Sequence, residues 1–145
     1  MYFVDREKIE KTLQYMEQQL YLLEERNQWI SPVEKLALER IGHVVIESIL
    51  DVGNSMIDGF IMRDPGSYED IIDILLDEKV ITEEMSTNLK TVINLRKILV
   101  QEYILIEGKV VEETLQGQLG ILKLFPEKVR TYLHDELGPV SAFKN

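Results

Sequence analysis

Apolar residues recur every three or four positions along almost the whole chain, between prolines and glycines that gather at a few points. That is the period of an α-helix, and no stretch alternates with period two for long. Ile9, Leu13, Met16, Leu20 and Leu23 fall at heptad spacing behind Asp5, which can cap a first helix. "SPVE" at 31–34 signals a second start: Ser31 as N-cap, Pro32 at the first helical position, Glu34 reaching back. This helix is expected to run to about Met62, where "RDPGS" ends it. Ser67 with Asp70 opens a short third helix, roughly to Leu76. Thr82 caps a fourth through Met85, Leu89, Val92 and Leu99 towards Ile106, and Gly108 stops it. A fifth follows from about Val110, kinked or restarted at Pro126, and fades at "LGP". "YILIEGKVV" could be forced into a hairpin, a minor alternative. The pattern predicts an all-α antiparallel bundle of four to five helices, one domain over 1–145. The tail 138–145 is either an ordered extension or a loose end.

The second helix has inverted proportions. At about 100° per residue, His43, Glu47, Asp51, Asn54 and Asp58 form one narrow polar row. Most of the remaining circumference is apolar: Val44, Val45, Ile46, Ile49, Leu50, Val52, Met56 and Ile57. Such a helix is expected to be central, its polar row lining something narrow. The fourth helix carries the complement, since Arg96, Val100 and Tyr103 share the face of Met85, Leu89, Val92 and Leu99. A guanidinium among apolar neighbours must be paired, because an unpaired buried charge costs several kcal/mol. The simplest partner is Asp51 or Glu47. Two copies meeting along the second helix would bury its surplus apolar area and trap the polar row at the twofold axis. A homodimer is therefore expected.

Composition narrows the chemistry. The 145 residues include no cysteine, which excludes disulfides, thiolate metal sites and cysteine nucleophiles. His43 and His134 are the only histidines, so a multi-histidine metal centre within one chain is excluded. The formal charge of −10 disfavours a broad nucleic-acid surface but allows one small phosphate-facing pocket. No apolar run is long enough to span a bilayer and the N-terminus is not signal-like, so a soluble, cytoplasmic protein is expected. No cofactor is implied: the glycines form no phosphate-cradling loop, and Gly117 and Gly120 lie inside a helical pattern.

"LRKILVQEY" resembles the signature of the HEPN superfamily in its HepT-like branch, Arg-x4-His-x-Tyr late in a helical bundle. Arg96 matches the arginine and Tyr103 the tyrosine, with Leu99 and Val100 before the histidine position. Asp51 is nearest to the acidic position that faces the motif. From "MYFVDR" through "DGFIMRDPGSY" to "ELGPVSAFK" the chain is similar to one subgroup of that branch. The resemblance implies a metal-independent ribonuclease toxin, homodimeric, its motifs converging on a cleft between subunits. It also implies a minimal nucleotidyltransferase as antitoxin, able to modify the motif tyrosine, here Tyr103. In that scheme the histidine moves the proton of the RNA 2′-hydroxyl or of the leaving oxygen. The arginine binds the phosphate, oriented by an acidic neighbour.

At the histidine position this chain carries Gln101. An amide can donate and accept hydrogen bonds but takes no proton at neutral pH. Losing general acid–base catalysis costs about 10²- to 10⁴-fold. His43 lies two turns before Asp51, roughly 12 Å along the axis, too far to stand in beside that carboxylate. Three readings remain open here. The protein binds RNA or nucleotide and cleaves weakly; or it is an inactive dimeric module engaging a partner such as a nucleotidyltransferase; or Arg96 is only a clamp between helices.

Overall fold

The structure is a computed structural model that describes residues 2–139. Its helices are α1 (Arg6–Glu25), α2 (Pro32–Gly59), α3 (Tyr68–Asp77), α4 (Glu83–Ile93), α5 (Gly108–Gly117) and α6 (Leu119–Leu137). Between α4 and α5 lie a π-helical turn, Lys97–Gln101, and a single 3-10 turn, Tyr103–Leu105. There is no strand among the described residues, so the hairpin alternative at "YILIEGKVV" fails.

The start signals act as expected. The Asp5 carboxylate accepts from Lys8 N at 3.0 Å, and Ser31 and Glu34 form a reciprocal capping box. Ser67 accepts from Asp70 N and Thr82 from Met85 N, which satisfies N–H groups that a helix start leaves without partners. The ends are less faithful to the pattern. α2 stops at Gly59, before Met62, because Ile61 takes a left-handed φ of 56°. α4 stops at Ile93, well short of Ile106. The break expected at Pro126 lies instead at Gln118, between α5 and α6. Pro126 sits buried inside α6 although proline fits a helix interior worst of all, and the break falls beside Gly117, a residue that also disfavours helix.

α2 is the central rod, packed by α1, α3 and α5 and by the π turn. Ile9, Leu13, Met16, Leu20 and Leu23 of α1 are all buried in one core with Val45, Ile46, Ile49, Leu50, Val52, Met56 and Ile57 of α2. The apolar surplus of α2, expected to need a second copy, is thus covered within one chain. Two glycines permit this. A Cβ on Gly53 would stand 2.5 Å from Ile71 Cγ2 of α3. One on Gly42 would meet Leu115 Cδ1 at 3.1 Å and Leu99 Cδ1 at 3.3 Å, from α5 and the π turn. At the C-terminus, Gly138 caps α6 with φ 78°, and its carbonyl accepts from Arg6 Nη1 at 2.9 Å. The rest of the expected loose tail, 140–145, lies outside the described residues. No helix among the described residues is long and apolar enough to cross a membrane.

Candidate functional site

Arg96 leaves the end of α4 and reaches α2. Its Nε donates to Glu47 Oε1 at 2.7 Å, so the acidic partner is Glu47 and not Asp51. The guanidinium also lies 4.5 Å from the ring centre of Tyr68, stacked on the face at the start of α3. The hydrogen bond to Glu47 is the main reason that Arg96 is held above even the usual arginine range. Among the described residues no acceptor meets its two η nitrogens. A guanidinium fixed at Nε, with the far edge uncommitted, is set to receive a planar pair of oxygens.

Tyr68 is held in turn by the preceding loop. Arg63 forms a two-pronged pair with Asp70, Nη1 to Oδ2 at 2.8 Å and Nη2 to Oδ1 at 2.9 Å. The same Oδ2 accepts from Gly66 N at 2.8 Å. These bonds hold the Asp70 carboxyl down at about 2 and close the loop onto the first turn of α3. "RDPGSYED" thus builds the platform under Arg96 as well as ending α2.

The wide turn after Arg96 changes how the motif spacing should be counted. Five residues along an ordinary α-helix, Arg96 and Gln101 would point about 140° apart. Here Glu102 N bonds to Lys97 O at 3.0 Å, five residues back. The extra residue in the turn reduces the offset to about 40°. Leu99 anchors the turn against Gly42.

His43 Nε2 stands 3.7 Å from Glu47 Oε1, the oxygen that Arg96 uses. His43 and Glu47 are half-buried, whereas Asp51, Asn54 and Asp58 are exposed. The polar row lines a contact only at its N-terminal end, because the Arg96 segment covers only that part of α2. Arg96, Glu47, His43 and Tyr68 therefore come together; Asp51, Asn54 and Asp58 stay outside. Gln101 is exposed, and Tyr103 is not on an apolar stripe but 66 % exposed, because the helix expected to carry it ends at Ile93. Tyr68 escaped the sequence reading, since nothing periodic links position 68 to position 96. No group of three His, Asp or Glu side chains among the described residues could hold a metal ion.

Residues 4–129 match the family described as Ribonuclease HepT-like. This chain belongs to that family. Among its HepT-like relatives, the Bacillus subtilis (strain 168) protein named "Putative RNase YutE" is 56 % identical over 144 residues, 99 % of this chain and all of YutE. A solved structure of YutE, a cytosolic protein of unknown function, superposes with a TM-score of 0.95 over 99 % of this chain and 100 % of that one. The toxin–antitoxin MntA-HpeT, in a mutant form, shares the fold at a TM-score of 0.73 and 19 % identity, over 85 % of this chain and 98 % of that one. A tri-AMPylated Shewanella oneidensis HEPN toxin in complex with MNT antitoxin does so at 0.72 and 20 %, over 86 % and 95 %. The HepT-like fold is thereby shown for this chain, with HEPN toxins among its structural neighbours.

Proposed function

We propose that this chain, a single HEPN-like domain, is the ribonuclease-type member of a toxin–nucleotidyltransferase pair. It acts in the cytoplasm as a homodimer that holds RNA phosphate on Arg96 and cleaves RNA feebly. One observation carries the reading: Arg96 is fixed by Glu47 at 2.7 Å and by the Tyr68 ring at 4.5 Å, with no acceptor on either η nitrogen among the described residues. A guanidinium that served only to join two helices would gain from pairing that edge as well. The feebleness follows from Gln101, whose amide can hydrogen-bond a phosphate or a hydroxyl but cannot carry its proton.

Exposed apolar side chains support the assembly. Ile30, Val33 and Leu36 stand out at the start of α2, and Ile104 and Leu105 follow the π turn. Arg96 sits beside Glu47 and Leu99 against Gly42, so this segment runs towards the N-terminal end of α2. The two exposed apolar groups offer a meeting place for a second copy. Tyr103, exposed on the same turn, is the position a nucleotidyltransferase would modify, in keeping with the AMPylated toxin among the structural neighbours.

A second reading has its own support in Gln101 together with the exposed Tyr103, Ile104 and Leu105: an inactive dimer that engages the nucleotidyltransferase as a binding module. Cleavage of a single-stranded RNA by wild type and by Gln101→His separates the two. Slow cleavage by wild type, raised about 10²-fold or more by the histidine, is the expected result. Silence in both proteins would favour the binding module.

A further inference from the structure

The proposed chemistry needs a proton carrier, and an imidazole already stands beside the phosphate-binding guanidinium. His43 Nε2 is 3.7 Å from Glu47 Oε1, and Arg96 Nε is 2.7 Å from that same oxygen. His43 lies too far from Asp51 to act beside it, but the working carboxylate is Glu47, one turn away on the same helix. The register of the crossing segment agrees. Arg96 lies at the level of Glu47 and Leu99 at the level of Gly42, which sets His43 between them. Its side chain keeps 35 % of its exposure, enough to be reached by a ligand.

We propose that His43 is a catalytic residue of this site, taking the proton of the RNA 2′-hydroxyl while Arg96 binds the adjacent phosphate. The inference rests on the RNA-phosphate reading above. In the step, the neutral imidazole accepts the hydroxyl proton as the 2′-oxygen bonds to phosphorus. The bond from phosphorus to the 5′-oxygen breaks, and that oxygen takes its proton from water, since the Gln101 amide has none to give; the imidazolium returns its proton to the solvent, and cleavage stays slow. The products are a 2′,3′-cyclic phosphate and a 5′-hydroxyl, with no net gain or loss of protons. Glu47 Oε1 links the two groups, at 3.7 Å from His43 Nε2 and 2.7 Å from Arg96 Nε, and Arg96 neutralises the phosphate.

The test uses the full chain with a single-stranded oligoribonucleotide, and its 2′-O-methyl analogue as an uncleavable binding probe. Wild type, His43→Ala and Arg96→Ala are compared. His43→Ala should keep the wild-type melting temperature and affinity for the analogue. Its cleavage should fall about 10²-fold or more, with part of the rate restored by free imidazole. Cleavage at the wild-type rate would overturn the proposal. So would a loss of rate that imidazole does not rescue and that a loss of affinity accompanies. Arg96-dependent binding with no wild-type cleavage would overturn the role of His43 alone. No binding of either oligonucleotide would overturn the RNA reading and this role together.

Discussion

Arg130 and Arg96 each reach from one helical element to glutamates on another, yet their environments differ in kind. Arg130, on α6, meets two residues of α1. Its Nε and Nη2 donate to Glu10 at 2.8 Å each, and its Nη1 and Nη2 donate to Glu17 at 2.9 and 2.7 Å. Every guanidinium nitrogen is engaged, and two carboxylates face one positive charge. Glu17 first, then Glu10, raise Arg130 far above the ordinary arginine range. Arg96 has one carboxylate, one hydrogen bond and one aromatic face. The first arrangement is what joining two helices requires. The second holds the guanidinium still and leaves its two η nitrogens for something else.

Removing each arginine should separate these roles. Arg130→Ala leaves Glu10 and Glu17 close together without their shared cation. The loss is about 1–2 kcal/mol after allowance for partial exposure, seen as a melting temperature lower by a few degrees. Arg96→Ala gives up one partly exposed pair and should cost under about 1 kcal/mol. Thermal unfolding of both variants under one buffer checks the order. An Arg96 variant as unstable as the Arg130 variant would favour the clamp reading.

Acid titration gives a smaller, finer test of the supporting pairs. Arg63, with the Gly66 amide, holds Asp70 at about 2, and Arg130 holds Glu10 below its ordinary value. Both carboxyls sit lower in the folded chain than in the unfolded one. Their stabilisation is therefore present above about pH 4 and is lost as the pH falls towards 2. Melting temperature against pH should drop over that window, and Asp70→Asn should flatten part of the drop. An unchanged acid limb in that variant would mean that the loop beneath Tyr68 draws no stability from the pair.

The same contrast explains what could be foreseen from residues alone. Ile9 through Leu23 and the apolar face of α2 were legible because burial follows helical period, and one core satisfies them together. Ser31, Ser67 and Thr82 were legible because capping is local. An inward arginine on the segment after α4 also announced a partner, though not which one. Asp51 and Glu47 share one polar row, and only the depth at which the crossing segment meets α2 selects Glu47. That depth is set by Leu99 against Gly42 and by the π turn, neither of which has a signature in a periodic pattern. Tyr103 was misplaced for the same reason, since an uninterrupted helix would have carried it onto the buried stripe. Tyr68 depends on a loop closed by Arg63 and Asp70, a contact between residues that belong to no common period.

The affinity of one labelled single-stranded RNA for wild type, Arg96→Ala and Arg130→Ala, at a single low salt concentration, tests the central claim most directly. The free edge of Arg96 predicts at least about a tenfold loss for Arg96→Ala, the value of one charge-assisted hydrogen bond. Arg130→Ala should bind as wild type does. Equal affinity in all three proteins, or a loss confined to the Arg130 variant, would contradict it.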